Sequence, residues 1–292
     1  MKRLLSSLLL PLLLLSCATL SCGTERSDRP IVVGSKNFTE SVILGELLSQ
    51  QLEKAGCKVD RRLNMGGTFV ADKAMLSGDL DTYVEYSGTA LTAILEQPIV
   101  KDRTDVDRRI RQAYRNRGLV WGPSLGFNNT FVMIVRQSDA TQFGLKTISD
   151  LARVQDRFQP AFGPEFAARP DGYQGLQATY DLKFARPPRT MDLGLTYKAL
   201  ASSQADLIAG NSTDGLIDSL GLVALEDNRH YFPPYDAAVV MRPDIDEKCP
   251  GASAALSRLS GTIDDATMRR LNFQVDGKKQ DARLVVEDFL KR

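Results

Sequence analysis

Tyr83, Val84, Glu85, Tyr86, Ser87, Gly88 and Thr89 close a short apolar stretch after a turn at Gly78 and Asp79, and the same layout returns 125 residues later. Laid over each other without a gap, residues 73–91 and 198–216 pair Lys73 with Lys198, Ala74 with Ala199, Ser77 with Ser202, Asp81 with Asp206, Ser87 with Ser212 and Leu91 with Leu216. One helix-turn-strand-loop unit used twice predicts two α/β lobes. Open α/β sheets place ligands beyond the carboxyl ends of their strands, so loops 85–89 and 210–214 are expected to face one another across a cleft. Such a clamp suits a small molecule. Chance likeness between helix-rich segments is the competing explanation.

Outward from that unit, the pattern is strand and helix in alternation. Ile31, Val32 and Val33 make a short strand ended by Gly34; Thr39 reads as the N-cap of a helix carrying Val42, Ile43, Leu44, Leu47 and Leu48. A strand at 59–63, a turn at Gly66 and Gly67, a helix through Leu76 and a strand at 80–84 follow, for which a parallel sheet is the natural expectation. A charged amphipathic helix spans 105–117, a strand 119–122, and 123–129 is a turn-rich crossing before the apolar run 131–136 opens a second lobe. That lobe has a helix starting at 148–151, strands at 159–162 and 207–209, and helices at 173–180 and 195–201. Pro233 and Pro234 punctuate the chain before a return strand at 237–241, and helices at 252–259, 264–273 and 281–290 complete the first lobe. Two crossings make a hinge, with lobe 1 over 31–126 and 234–292 and lobe 2 over 127–233.

At 292 residues and 43% hydrophobic composition the chain can fill two cores. Lys and Arg number 37 against 36 Asp and Glu, which leaves no basic surplus for a nucleic-acid partner. Lys2 and Arg3 precede an apolar run, 4–15, that is too short to span a bilayer, so 1–16 reads as a signal peptide and the protein as exported. Without Lys2 and Arg3 the basic count falls to 35, so the mature body is close to neutral. Segment 17–30 is polar and turn-rich, as a tether would be. Cys57 and Cys249 remain in the body, where an exported protein has either a bridge or two free thiols.

Several blocks then carry a resemblance. Gly34 to Glu40 (GSKNFTE), Gly66-Gly67-Thr68, Glu85 to Thr89 (EYSGT), Gly126 to Thr130 (GFNNT), Arg169 to Gly172 (RPDG), Ser212 to Gly215 (STDG) and His230 to Asp236 (HYFPPYD) occur in this order. Together they resemble the glycine betaine, choline and carnitine substrate-binding proteins of osmoprotectant ABC transporters, over the whole body from Ile31 to Arg292. The resemblance implies a type II periplasmic-binding-protein fold, with each lobe a mixed sheet flanked by helices and two crossing strands as hinge. It also implies a single chain that captures a quaternary amine or betaine and hands it to an ABC permease with a cytoplasmic ATPase. Leu14-Leu15-Ser16-Cys17 looks like a bacterial lipobox, which makes Cys17 the lipidated residue and ties the protein to the membrane; Thr19-Leu20-Ser21-Cys22 fits less well, and a plain cleaved signal is the other alternative.

A trimethylammonium group has charge but no N–H, so aromatic faces must hold it, each ring supplying roughly 0.5–2 kcal/mol. A betaine carboxylate needs a guanidinium, an ammonium or backbone N–H groups. By position, Tyr86 and Tyr235 resemble the family's cage tyrosines. Phe131 stands where the pattern has Tyr, keeping a ring face without the hydroxyl; a buried strand-start residue is its alternative. Asn211 stands where relatives carry Tyr before Ser-Thr-Asp-Gly, so the cage lacks one wall, which favours a larger betaine such as ergothioneine or another cationic metabolite. Arg169 and Lys36 resemble the carboxylate-side residues, with Thr89 as a supporting hydroxyl; solvated surface is the bland reading of both cations. Asn129 is expected to bridge the lobes, or merely to stabilise its turn.

One His, with no metal-ligand cluster, phosphate loop or Gly-x-Ser-x-Gly elbow, gives no sign of a cofactor, a metal or catalytic residues. An enzyme would need a base such as Glu85 or Asp214. A sensory binding protein that reports its solute to a membrane partner is the second functional reading.

Overall fold

The computed structural model describes residues 29–291. The expected signal peptide and both candidate lipidation sites, Cys17 and Cys22, lie outside the described residues.

Two five-stranded sheets share one topology. The first has the order β2-β1-β3-β10-β4, from β1 (Ile31–Gly34), β2 (Val59–Arg62), β3 (Thr82–Tyr86), β4 (Val120–Asn128) and β10 (Asp236–Met241). The second has the order β7-β6-β8-β5-β9, from β5 (Phe131–Arg136), β6 (Pro160–Phe162), β7 (Arg189–Thr190), β8 (Leu207–Asn211) and β9 (Leu222–Leu225). In each sheet three strands run parallel, and the fourth is antiparallel to its neighbours: β10 against β3 and β4, β5 against β8 and β9. The sheets are therefore mixed rather than parallel throughout, because the strand that receives the chain from the other lobe enters reversed.

The repeated unit is structural. Helix α2 (Thr68–Ser77) runs into β3 as the helix Leu193–Ala201 runs into β8. Leu80 N donates to Ala74 O at 3.0 Å, and Ala205 N to Ala199 O at 3.0 Å, so both turns close in the same way. Each turn reverses the chain through a residue in the left-handed region: Gly78 at φ +82°, directly after α2, and Ser203 at φ +58°, two residues beyond Ala201.

Helix α1 (Thr39–Lys54) is built as the spacing of its apolar residues predicts, with Ile43, Leu44, Leu47, Leu48 and Leu52 at most 1% exposed against the first sheet. Each buried leucine contributes about 1.5–3 kcal/mol. Thr39 does not cap it. Phe38 holds the N-cap position in extended conformation, while the Thr39 hydroxyl reaches Asp276 Oδ1 at 2.7 Å, a partner remote in sequence. The expected crossing at 123–129 is also different: it is strand, with Pro123 and Gly126 absorbed by two register shifts against β10. A Cys57–Cys249 disulfide ties the end of α1 to the chain after β10 across 192 residues. No helix among the described residues is long and apolar enough to cross a membrane.

Candidate functional site

β3 ends at Tyr86 and β10 begins beside it, with Ala237 opposite Tyr86. The Ser87 hydroxyl donates to Pro234 O at 2.8 Å and accepts from Asp236 N at 2.9 Å, which fixes Tyr235 next to the loop after β3. Gly88 lies beneath the Tyr235 ring, where a Cβ would sit 2.5 Å from Cε1, so only glycine lets the ring lie flat there. From the second sheet, Phe131 opens β5 opposite Asn211 at the end of β8. Its ring stands edge-on to Tyr235, with centroids 5.6 Å apart. Phe166 and Phe232 back it at 5.0 and 5.9 Å. Phe38 adds a ring 6.1 Å from Tyr86.

Two side-chain cations lie over these rings. The Lys36 ammonium is 4.9 Å from the Tyr86 centroid and 5.8 Å from that of Phe38, and it pairs with Glu85 at 2.6 Å. Arg169 stacks over Phe131 at 5.1 Å and grips Asp171 through two bonds of 2.9 and 2.6 Å. Lys36 and Arg169 are 3% and 4% exposed, so the solvated-surface alternative fails for both. Burial works to lower the Arg169 pKa, but Asp171, with Tyr235 and Glu165, outweighs it and holds the guanidinium charged.

Each tyrosine hydroxyl is anchored on a carboxylate: Tyr86 donates to Glu40 at 2.7 Å, and Tyr235 to Asp171 at 2.5 Å. Burial, then these carboxylates, push both phenols well above the ordinary tyrosine range, so they stay neutral donors. The Tyr235–Asp171 bond joins the lobes, and two further groups of contacts do so as well. Glu165 of the second lobe accepts from the Thr68 N–H and hydroxyl at the start of α2, where Gly67 has no Cβ to obstruct it. Burial raises the Glu165 carboxyl, but Lys36, Thr68 and Arg169 together bring it below its usual range. In the other group, Asn129 donates to Glu40 at 2.7 Å and accepts from Thr213 N at 3.4 Å, while the Thr213 hydroxyl donates to Glu40. Thr89 is buried in the turn that follows Tyr86.

Tyr86, Tyr235, Phe131, Arg169, Lys36 and Asn129 are thus brought together. None of these six lines the cleft of about 960 Å³ between the lobes; Asn211 does so instead, together with Phe38, Glu40, Tyr197, Asp214 and Lys279. Sequence reasoning missed Phe38, Glu40 and Asp171 as site residues, although each stands inside a quoted block. It also missed Phe166, which is in none.

Residues 29–292 match the family model described as the substrate-binding domain of the ABC-type glycine betaine transport system. The chain belongs to this family. It is a transport substrate-binding family rather than an enzyme family, and its members have the type II periplasmic-binding-protein fold seen here. The carnitine transport binding protein OpuCC of Listeria monocytogenes is 35% identical over 285 residues, 96% of this chain and 92% of that one. The ergothioneine transport permease/ergothioneine binding protein EgtU of Helicobacter pylori is 36% identical over 284 residues, and the chain spans 51% of its length. A solved glycine betaine/carnitine/choline ABC transporter structure matches with a TM-score of 0.72 at 30% identity, over 89% of this chain and 97% of that one.

Proposed function

We propose that this substrate-binding protein captures a quaternary-ammonium solute between its lobes, the cation against Tyr86, Tyr235 and Phe131, and any carboxylate toward the Arg169 and Lys36 side with Thr89. The observation that carries this reading is that ring faces of Tyr86 and Phe131 already hold cations at 4.9 and 5.1 Å. Several such faces supply a useful share of a micromolar affinity, about 8 kcal/mol. Closure by hinge motion presents the loaded form to a permease driven by a cytoplasmic ATPase. The chain acts outside the cytoplasm as a monomer, anchored through lipid on Cys17, and turns nothing over. Palmitate labelling that survives Cys22→Ser and vanishes in Cys17→Ser is the expected mark of that anchor; labelling retained in Cys17→Ser contradicts it.

A larger betaine such as ergothioneine is the second reading, favoured by Asn211, which replaces a ring with a short amide at the edge of the cleft. Calorimetry with glycine betaine, choline, carnitine and ergothioneine separates the two. A tight fit for glycine betaine alone sinks the larger ligand, and heat from none of the four sinks the cage.

A further inference from the structure

Glu40 is 2% exposed in the first turn of α1, and donors meet both of its oxygens. Oε1 accepts from the Tyr86 hydroxyl and from Asn129 Nδ2, both at 2.7 Å; Oε2 accepts from the Thr213 hydroxyl and from Asn272 Nδ2 at 2.9 Å. Four donors on two oxygens is the surrounding of an ionised carboxylate, since a carboxylic acid would itself have to donate. The amino-terminal turn of α1 favours the same charge. All four partners are neutral. The two cations over the cage rings are taken by other acids, Lys36 by Glu85 and Arg169 by Asp171. A buried charge without a counter-charge is costly. Burial accordingly pushes the Glu40 carboxyl above its usual range, against the pull of its four donors. Asp214 is the next acid facing it, and Lys36 and Glu85 lie beyond Tyr86.

We propose that Glu40 is the specificity-determining residue of the cage: its carboxylate, acting through the Tyr86 hydroxyl, makes the site select a cation over an uncharged molecule of the same shape. A phenol that donates to an anion gains electron density in its ring, and that density is what a cation on the ring face feels. The carboxylate also lies close enough to act on that cation directly through the low-dielectric interior. The inference rests on the quaternary-ammonium reading of the site and goes beyond it, because it assigns the discrimination to a group outside the ring set.

The test compares choline with its uncharged carbon analogue, in which a tert-butyl group replaces trimethylammonium, by calorimetry on the full-length protein. Wild type is expected to prefer choline by about tenfold or more. Glu40→Gln is expected to shrink that preference about fivefold or more while affinity for the uncharged analogue changes by less than about twofold. An equal loss for both ligands would assign Glu40 a merely structural role and overturn the proposal, as would an unchanged preference. Should Glu40→Gln not fold, Tyr86→Phe keeps the ring and cuts its link to Glu40; a preference unchanged there also overturns it. Wild type binding the two molecules equally defeats the quaternary-ammonium reading as well, which separates that failure from failure of the Glu40 assignment alone.

Discussion

Asp81 and Asp206, 125 residues apart, make the same connection in the two lobes. Asp81 Oδ2 accepts from Val32 N at 2.8 Å and its own N–H donates to Val32 O at 2.9 Å; Asp206 does both with Gln159, at 2.9 and 2.9 Å. Each acid lies just before the strand that leads to the site, and each has a cation, Lys248 at 2.8 Å for Asp81 and Arg136 for Asp206. Asp81→Ala leaves a buried N–H and an ammonium unpaired and is expected to cost about 3 kcal/mol of stability; Asp206→Ala, at a wetter position, about 1–2 kcal/mol. Urea unfolding checks both, and a variant that matches wild type contradicts the shared role.

The disulfide closes a loop of 192 residues, from the end of α1 to the chain after β10. Restricting so long a loop in the unfolded chain stabilises by about 5 kcal/mol in the chain-entropy picture. Cys57→Ser with Cys249→Ser is expected to lower Tm by several degrees in a calorimetric scan, about as much as reductant lowers wild type. Equal Tm values with and without reductant contradict this.

Asp214 ties Asn211 to the second lobe: it accepts from Asn211 N at 2.9 Å and from the Tyr197 hydroxyl at 2.6 Å. Burial raises its carboxyl to about 6 despite those bonds, with Glu40 and Asp276 adding to the rise. The folded state therefore holds this proton more tightly than the unfolded chain. Its contribution, about 3 kcal/mol, is present below about pH 4 and is lost as pH rises through 6. The stability advantage of wild type over Asp214→Asn, followed by Tm from pH 4 to 7, is expected to shrink across that window. A constant difference contradicts the assignment.

Tyr86→Ala and Tyr235→Ala are each expected to weaken quaternary-ammonium binding about tenfold or more. Asn211→Tyr is expected to strengthen binding of small trimethylammonium compounds by supplying a wall where the cleft opens. Titration calorimetry reads all three. Unchanged affinity in both alanine variants removes the cage assignment.

Much of this was legible in the chain. The repeat at 73–91 and 198–216 carries its own turn chemistry, and the EYSGT and PPYD blocks become neighbours because Ala237 pairs with Tyr86. What stayed hidden depended on distant partners. Thr39 has the sequence position of an N-cap, yet its hydroxyl serves Asp276. Pro123 and Gly126 read as turn, yet β10 tolerates them through register shifts. The helix Gln137–Phe143 and strand β9 were missed because one buries only Ala140 and the other only Leu225, so neither has a clear apolar period. Glu40 is an ordinary acid for the first turn of a helix, and only the second lobe, through Asn129 and Thr213, reveals it as buried.

A crystal structure of the protein with choline bound asks most directly whether the ring faces hold the cation. The expected result is the quaternary nitrogen between the lobes, within about 6 Å of the ring centroids of both Tyr86 and Tyr235. Choline seated instead in the cleft beside Asp276 and Lys279, with both tyrosines turned away from it, contradicts the cage.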